Sequence, residues 1–301
     1  MIKKIGFIGQ GFIGKSYSDD FEARGFEVVR YSLDPEYINN KDLLKECETV
    51  FIAVNAATKP SGTLRDDGHP KTFFDDSNIK SCIPLTAVGT VIVIKSTLPP
   101  GKTIEIQKMF PDRIIFHSPE FLTEMTAQED AKKPLRNIIG VPEMSEKNIA
   151  IASDILKMFP DSPYQKVLPS TTAELIKYGA NAFLFAKILF SNVFYDIVEH
   201  HGQNWKVISE AIGVDPRIGS HNMSLHQKND DDSKPTRRGA GRSCFIKDMA
   251  ELSELYADTM PDKKKSLAVL RAMEYKNAEL LQEFDRYVDI LESVYGRNTN
   301  R

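Results

Sequence analysis

A cysteine on a glycine-rich turn is the first group in this chain whose type and setting suit covalent chemistry. Residues 239–248 read GAGRSCFIKD, with Cys244 just before a predicted helix. The positive end of a helix dipole stabilises a thiolate, which is the nucleophilic form of cysteine. Asp248 follows one helical turn later, where it could orient a water molecule. Cys47 and Cys82 lack such a setting, so we expect them to be packing residues.

A stripe of polar residues on an apolar helix is the second candidate. Glu174, Lys177 and Asn181 are spaced i, i+3 and i+7 and therefore fall on one narrow helix face. A lysine that faces a cleft from an apolar helix is costly unless it meets an anion or a developing oxyanion. The alternative is a surface lysine whose stem lies along the helix while its ammonium reaches solvent.

Hydroxyl and carboxyl groups follow two predicted strands. The sequence KSTLPPG places Ser96 and Thr97 at the carboxyl edge of the sheet, where such folds bind ligands, although helix capping would also explain these hydroxyls. The sequence SPEFLTE follows the next strand. If that turn is helical, Glu120 and Glu124 share one face, and their repulsion favours a tuned general base over a structural pair.

A glycine-rich loop directly after the first predicted strand has the GxGxxG pattern of a dinucleotide site. Gly9 would make the tight turn, Gly11 would let the backbone approach the pyrophosphate, and Gly14 would permit close packing of the helix. Together with Lys15, the stretch also satisfies the GxxxxGKS loop of nucleotide triphosphatases, and a turn that binds no phosphate is a third interpretation. The compact strand–helix spacing favours the dinucleotide.

The end of the second predicted strand bears on the choice between NAD and NADP. An acid that binds the ribose is expected about 20 residues after the glycines, where Ser32 and Asp34 are the candidates. Arg30 lies nearby and keeps NADP open. We prefer NAD.

Alternating strands and helices must position the groups of the first half. Short apolar runs between helical stretches predict parallel strands covered on both faces. The predicted strands are residues 3–8, 27–31, 49–54, 91–94, 114–117 and 137–140. The predicted fold class is α/β, with a Rossmann-type doubly wound parallel sheet in residues 1–168 and a mostly helical domain, built on one long helix, in residues 169–301. The predicted helices of the second domain are residues 170–200, 205–212, 247–257 and 263–292.

Composition narrows the function classes. The chain has 301 residues, of which 41% are apolar and 27% charged, and its net charge is −3. These values predict a globular protein without a nucleic-acid partner, which would show a basic excess. Three scattered cysteines exclude a disulfide framework and favour a cytoplasmic location. No apolar run has the 18 residues of a membrane span, so no membrane partner is expected. The apolar run of residues 5–8 is too short for a signal peptide and is better interpreted as a first strand, and no metal site is predicted.

Taken together and in this order, the motifs resemble those of the UDP-glucose/GDP-mannose dehydrogenase family, and the resemblance runs across nearly the whole chain. KSTLPPG is similar to the family's KSTVPPG, and SPEFLTEMTAQED is similar to its NPEFLREGSAVED. AELIKYGANAFLFAKILFSN is similar to AELxKYxxNxFLAxKIxFxN, and GAGRSCFIKD is similar to GFGGSCFPKD. The resemblance implies two successive NAD-dependent oxidations that carry the C6 alcohol of a nucleotide-sugar, expected to be UDP-glucose, through an aldehyde to a carboxylate.

The resemblance also implies roles for single residues. Cys244 would attack the aldehyde to form a thiohemiacetal, which is then oxidised to a thioester. Lys177 and Asn181 would stabilise the C6 oxyanion, and Glu120 would assist hydrolysis of the thioester. A water for proton transfer would be held by Asp248 and Thr97, and Glu124 would support the network around it. The chain would form a homodimer through its long helices.

The residues assigned to binding form two groups. The cofactor-binding group is Gly9, Gly11, Phe12, Ile13, Gly14, Lys15, Ser32, Asp34, Thr97 and Glu124. The substrate-binding group is Glu120, Phe121, Leu122, Lys177, Asn181 and Gly241, together with Arg237 and Arg238 from an insertion that could meet substrate phosphates.

The sequence departs from the family pattern at a few positions. Arg242 and Met125 stand where the family has glycines, and Ile246 stands where it has a proline. The family normally continues into a second nucleotide-binding domain, so this chain is expected to be a short form, with a separate chain as one candidate source of that domain. The alternatives are a two-electron dehydrogenase of the hydroxyacid type and a catalytically weak, cofactor-binding regulatory protein.

Overall fold

The computed structural model describes residues 4–221, 223, 225 and 238–296. Its strands are β1 (Lys4–Ile8), β2 (Glu27–Tyr31), β3 (Thr49–Ile52), β4 (Ala57–Leu64), β5 (Pro70–Asp75), β6 (Val91–Ile94), β7 (Ile114–His117), β8 (Arg136–Val141) and β9 (Tyr164–Pro169). Its α-helices are α1 (Phe12–Ala23), α2 (Ser77–Cys82), α3 (Lys102–Met109), α4 (Ala127–Lys132), α5 (Glu146–Leu156), α6 (Ser170–His200), α7 (Trp205–Gly213), α8 (Arg242–Thr259), α9 (Lys264–Glu283) and α10 (Val288–Tyr295). Two 3-10 helices cover Ile38–Glu46 and Ile83–Leu85.

Seven strands form one sheet in the order β2-β1-β3-β6-β7-β8-β9. All neighbours pair in parallel except β7 and β8, which are antiparallel. Every residue of β3 is buried, as expected for a strand covered on both faces. Phe7, Phe21, Phe51 and Phe159 form the aromatic centre of the core on one side of this sheet. The Rossmann-type domain is therefore confirmed, with a mostly helical region after it.

Three strands were not predicted. β9 lies at the end of the sheet and no residue in it is fully buried, so its sequence lacks the continuous apolar run of the inner strands. β4 and β5 pair with each other as a separate two-stranded sheet. Most positions of β4 face solvent, and it contains Pro60 and Gly62, which are unfavourable in strands.

The chain divides into two compact units. Unit 1 comprises Met1–Ala56 and Asp75–Lys177, and unit 2 comprises Ala57–Phe74 and Tyr178–Arg301. The predicted first domain ends at residue 168, whereas unit 1 runs to Lys177, and the hairpin of β4 and β5 belongs to unit 2. Arg65 of this hairpin is buried and forms ion pairs with Glu254 of α8, at 2.6 Å, and Glu274 of α9, at 3.0 Å.

The helices of unit 2 match the prediction unevenly. α6 has the predicted bounds, whereas α8 begins at Arg242, five residues before the predicted start. The prediction of one helix over residues 263–292 is wrong, since α9 ends at Glu283 and α10 begins at Val288. Asp285 and Tyr287 between them have φ values of 48° and 52°, in the left-handed region that interrupts a right-handed helix when it occurs in the interior.

By length and composition α6 could also cross a membrane, and among the described residues it is the one helix that could. The central helix of a protein in water passes the same test, so this finding alone is weak support for a membrane span. The predicted lack of a membrane partner stays a prediction.

Candidate active site

The loop between β1 and α1 has the geometry that the glycine pattern predicts. Gly9 has a φ of 92°, which favours glycine, and its N–H donates to the carbonyl oxygen of Tyr31 at 2.8 Å. A Cβ on Gly14 would lie 1.9 Å from the carbonyl oxygen of Gly9, so only glycine lets α1 pack this closely. A Cβ on Gly11 would meet no atom within 4 Å. The loop therefore leaves open space beside Gly11 at the N-terminus of α1, which suits a pyrophosphate.

The other residues assigned to the cofactor lie around this loop. Phe12 and Ile13 begin α1; Phe12 is exposed, whereas Ile13 packs against the core. Lys15 lies within α1 and pairs with Asp19 one turn later at 3.5 Å. This pairing gives no support to the triphosphatase interpretation, in which the lysine reaches for phosphates.

The end of β2 carries a small polar group. The Ser32 hydroxyl donates to Asp34 Oδ2 at 2.7 Å and accepts from the Asp34 N–H at 3.2 Å, and Asp34 itself is exposed. Arg30 is paired with Asp19 at 2.7 Å and with Glu22 at 2.6 Å. The serine fixes the carboxylate, while the arginine is neutralised by two acids.

In unit 1 a buried ion pair joins two of the predicted catalytic residues. Lys177 Nζ donates to Glu120 Oε1 at 2.9 Å, and both side chains are about 5% exposed. Glu120 Oε2 accepts the N–H of Leu122 at 2.9 Å. The ring of Phe121 lies 5.5 Å from Lys177 Nζ and 3.6 Å from the guanidinium carbon of Arg136. Lys177 is therefore not the solvent-directed lysine of the alternative interpretation.

Glu174, one turn before Lys177, holds the start of α6 in place. Its carboxylate accepts the N–H groups of Gly101 and Thr103, at 2.6 and 2.8 Å, and the Thr103 hydroxyl at 2.6 Å. These donors belong to the N-terminus of α3, where a carboxylate is favoured. Burial raises the pKa of Glu174, and the hydrogen bonds oppose that rise. Glu174 thus positions the segment of α6 that carries Lys177.

The predicted pairing of Glu120 with Glu124 on one helix face is wrong. Residues 118–123 form no helix, and Glu120 is buried whereas Glu124 is exposed. The pattern misled because i, i+4 spacing places side chains together only in a helix. Thr97 is buried beyond β6, and Ser96 donates to the carbonyl oxygen of Val54 at 2.6 Å.

In unit 2 a second buried polar pair contains two further predicted residues. Asn181 Nδ2 donates to Asp248 Oδ2 at 2.6 Å, and Lys247 forms an ion pair with Asp248 Oδ1. Cys244 lies in the first turn of α8, partly exposed, one turn before Asp248 and therefore on the same helix face. The cysteine and the carboxylate thus lie on α8, and the amide that contacts the carboxylate lies on α6, all within unit 2.

The loop before Cys244 is fixed by contacts that the sequence did not indicate. The buried Asn277 side chain accepts the N–H of Ala240 at 2.6 Å and donates to its carbonyl oxygen at 3.0 Å. A Cβ on Gly241 would lie 2.0 Å from the ring of Tyr287, so this position requires glycine. Arg242 has a φ of 69°, the left-handed conformation that a glycine would adopt without strain.

Arg238 does not have the surroundings of a free phosphate-binding group. Its guanidinium is buried and donates to the Asn192 carbonyl oxygen at 2.7 Å, and it pairs with Asp196 at 2.6 Å. These contacts attach the glycine loop to α6 and pair the guanidinium charge with a carboxylate. Arg237, with the rest of residues 226–237, lies outside the described residues.

The most conspicuous residues that sequence reasoning missed are Lys95 and His117. Lys95 is the first residue after β6, and His117 is the last residue of β7. Lys95 is 2% exposed and His117 is 0% exposed. Burial lowers the pKa of Lys95 to about 7 and that of His117 to about 3. Lys95 opens the KSTLPPG motif, so its position was visible, but nothing in the sequence indicates its burial. No group of three or more metal-ligating side chains occurs in the described part of the chain.

Family models match both halves of the chain. The model of the NAD binding domain of the UDP-glucose/GDP-mannose dehydrogenase family matches residues 38–159, and the model of its central domain matches residues 171–278. YtcA of Bacillus subtilis (strain 168) is 33% identical over 283 residues, covering 92% of this chain and 60% of that protein. UDP-glucose 6-dehydrogenase of Rickettsia bellii is 31% identical over 263 residues, covering 85% and 55%. The chain thus spans 60% or less of the length of these relatives.

Solved structures share the fold. A UDP-glucose dehydrogenase from the archaeon Pyrobaculum islandicum matches with a TM-score of 0.70 at 23% identity, covering 97% of this chain and 71% of that one. A 3-hydroxyisobutyrate dehydrogenase from Mycobacterium tuberculosis matches with a TM-score of 0.63 at 13% identity, covering 98% and 99%. At these identities the likeness concerns the fold alone.

Proposed function

This chain belongs to the UDP-glucose/GDP-mannose dehydrogenase family, and from that membership we propose that it oxidises the C6 alcohol of a nucleotide-sugar, with UDP-glucose as the substrate, to the carboxylate in two NAD-dependent steps. The observation that carries the proposal is the polar stripe of α6. Its lysine is buried against Glu120 and its asparagine is buried against Asp248. Burying the charges of Glu120, Lys177 and Asp248 lowers the stability of the fold, and a catalytic role would explain why they are buried.

The cofactor site is the loop from Gly9 to Gly14 with the end of β2. The open space at Gly11 and the N-terminus of α1 suit the pyrophosphate, and Asp34, fixed by Ser32, suits the ribose hydroxyls. When bound, NAD would accept the hydride that leaves the C6 carbon. NADP is disfavoured because the exposed Asp34 carboxylate would repel a 2′-phosphate. Arg30, the nearby cation, is already paired with two acids.

The chain's own residues would handle the remaining steps. Lys177 and Asn181 would stabilise negative charge on the C6 oxygen. The Cys244 thiolate would add to the aldehyde carbon, and loss of a hydride from that adduct would leave a thioester. Water, activated with the help of Glu120, would break the thioester to release the carboxylate and free the thiol. Asp248 and Thr97 would hold the water for proton transfer.

An exposed apolar stripe on α6 supports a homodimer. Phe183 and Phe190 are 72% and 67% exposed, and Val193 and Ile197 continue the stripe along the same helix. Apolar groups at this spacing form one helix face, and such a face is usually covered by a partner. We propose that a second copy of this chain covers it.

A thermal-shift screen tests the proposed ligands. NAD and UDP-glucose should raise the melting temperature, and each stabilises by about 2.7 kcal/mol when present at 100 times its dissociation constant. NADP, GDP-mannose and UDP are the comparison ligands. Asp34→Asn should weaken the response to NAD, whereas Asp161→Asn, an exposed acid of the same unit, should not change it. The absence of a shift with every nucleotide-sugar would count against the proposed substrate class.

A further inference from the structure

Lys95 is a buried cation that has no role in the proposed mechanism. Its Nζ donates to the Ser118 hydroxyl at 3.1 Å and lies 4.1 Å from the centre of the Tyr17 ring and 5.0 Å from that of Phe159. Among the described residues no carboxylate lies within ion-pairing distance of this ammonium. A buried lysine that is held by one hydroxyl and two ring faces is costly, so its retention calls for a reason beyond packing.

The hydrogen bond from Lys95 to Ser118, two residues before Glu120, places the ammonium of Lys95 beside the segment that carries the Glu120–Lys177 ion pair. Lys95 interacts electrostatically with Glu120, which favours its charged form, and with Lys177, which opposes it. The phenol of Tyr17 remains neutral, because burial and the nearby Glu120 raise its pKa far above neutrality. The charge of Lys95 therefore acts on two ionised partners.

His117 adds no charge to this group. It is fully buried, and its Nδ1 lies 2.9 Å from the carbonyl oxygen of Ile94, which can only accept, so Nδ1 carries the proton. Its Nε2 is then a bare acceptor without a hydrogen-bond partner among the described residues. Burial keeps the imidazole neutral. The charged groups around Lys95 are therefore Lys95 itself, Lys177 and Glu120.

We propose that Lys95 is a positioning residue whose buried charge sets the electrostatic field at the Glu120–Lys177 ion pair. With Lys95 protonated, the three groups carry one net positive charge, which favours a developing oxyanion beside Lys177. With Lys95 neutral, the pair is balanced and that support is lost. The inference rests on the proposed function for its catalytic consequence only, since the coupling between the charges exists without substrate.

The pH range of the effect follows from burial. Because burial lowers the pKa of Lys95 to about 7, the residue changes charge near neutrality. In the unfolded chain the ordinary lysine pKa of 10.5 applies, so the cost of burying the charge is full below about pH 7 and falls as the pH rises toward 10.5. The melting temperature of the wild type should therefore rise relative to that of Lys95→Met across this interval.

The direct test is an NMR titration of lysine side chains labelled with 13C at Cε. In the wild type the Lys95 resonance should titrate with a midpoint near pH 7, and the Lys177 resonance should show a step at the same midpoint. Lys95→Met should remove the step from Lys177. Lys157→Met, which removes an exposed lysine of unit 1 that pairs with Asp154, should leave it in place. A Lys95 resonance that titrates only above pH 9, or a Lys177 resonance without the step, would overturn the proposal.

Kinetics give the catalytic half of the test. In NADH formation with UDP-glucose, wild-type kcat/KM should carry a step of about three- to tenfold with a midpoint near pH 7. Lys95→Arg, which stays charged, should keep the higher plateau, and Lys95→Met should keep the lower one. A loss that is equal at every pH would show a merely structural role and overturn the proposal. An inactive protein whose Lys177 resonance keeps the step would reject the proposed function and leave the coupling of Lys95 intact.

Discussion

Two glycine-rich loops lead into helices in this molecule, and the glycine just before the helix has opposite surroundings in the two loops. In the loop of unit 1, Gly11 borders open space, so the missing side chain leaves room for a ligand. In the loop of unit 2, Gly241 borders the ring of Tyr287 and Gly239 borders Leu281, so the missing side chains admit the protein's own core. Similar glycine patterns in the sequence therefore need not indicate similar sites.

The second loop is a structural element that is packed against the core of unit 2. It is held by Asn277, Arg238 and Tyr287, and its glycines serve to fix the start of α8, on which Cys244 and Asp248 lie. In the proposed function the first loop would present its backbone to the cofactor, whereas the second would fix the nucleophile. Substitutions in the two loops should accordingly affect different measurements.

Gly14→Ala should have the largest effect. Its Cβ would lie 1.9 Å from the carbonyl oxygen of Gly9, a backbone atom that can move only with the loop. We expect NAD binding to be lost and the free energy of unfolding to fall by about 2 kcal/mol or more. Isothermal calorimetry and denaturant titration measure both quantities. Wild-type NAD affinity in this variant would contradict the assigned cofactor loop.

Gly11→Ala should separate ligand binding from stability. Its φ of −66° suits alanine, and no atom lies within 4 Å of the added Cβ. We expect the unfolding free energy to change by less than about 1 kcal/mol, while NAD affinity falls at least about tenfold because the methyl group occupies the space of the pyrophosphate. Gly179→Ala, on an exposed and open position of α6, is the control and should leave NAD affinity unchanged. Equal affinities in both variants would make Gly11 an ordinary turn residue.

Arg242→Gly should have the smallest effect, and it should be stabilising. Arg242 has a φ of 69°, which costs a residue with a side chain about 1 kcal/mol and costs glycine nothing. Part of that gain is offset by the greater freedom of glycine in the unfolded chain, so we expect about 0.5 kcal/mol in denaturant titration. Ser243→Gly, at the next and exposed position of α8, should destabilise instead. Destabilisation in both variants would show that the Arg242 side chain outweighs its backbone strain.

Local sequence patterns predicted the elements whose formation depends on neighbouring residues in the sequence. The buried parallel strands could be predicted because they are continuous apolar runs, and α6 could be predicted because proline is absent from it. The hairpin of β4 and β5 could not, because what holds it is Arg65 in contact with carboxylates about 190 and 210 residues away in sequence. The break between α9 and α10 depends likewise on Tyr287 packing against Gly241.

In the candidate site, too, local patterns predicted some residues, whereas others depend on contacts between distant parts of the chain. Lys177, Asn181, Cys244 and Asp248 could be named from helical spacing and motif, and the structure pairs Lys177 with Glu120 and Asn181 with Asp248. The pairing of Glu124 with Glu120 was wrong because the spacing argument assumed a helix that does not form. Lys95 was missed because the burial of a single lysine depends on the rings and hydroxyl packed around it, which no local pattern records.

The most direct test of the proposed reaction is the number of NADH molecules formed per molecule of UDP-glucose consumed. Two are expected for the wild type, with UDP-glucuronate as the product. In Cys244→Ser we expect acid formation to fall by orders of magnitude while NAD binding persists, because a serine hydroxyl is a far weaker nucleophile than a thiolate. One NADH per sugar with an aldehyde or ketone as the final product, or unchanged acid formation in Cys244→Ser, would contradict the thioester mechanism and favour a two-electron dehydrogenase.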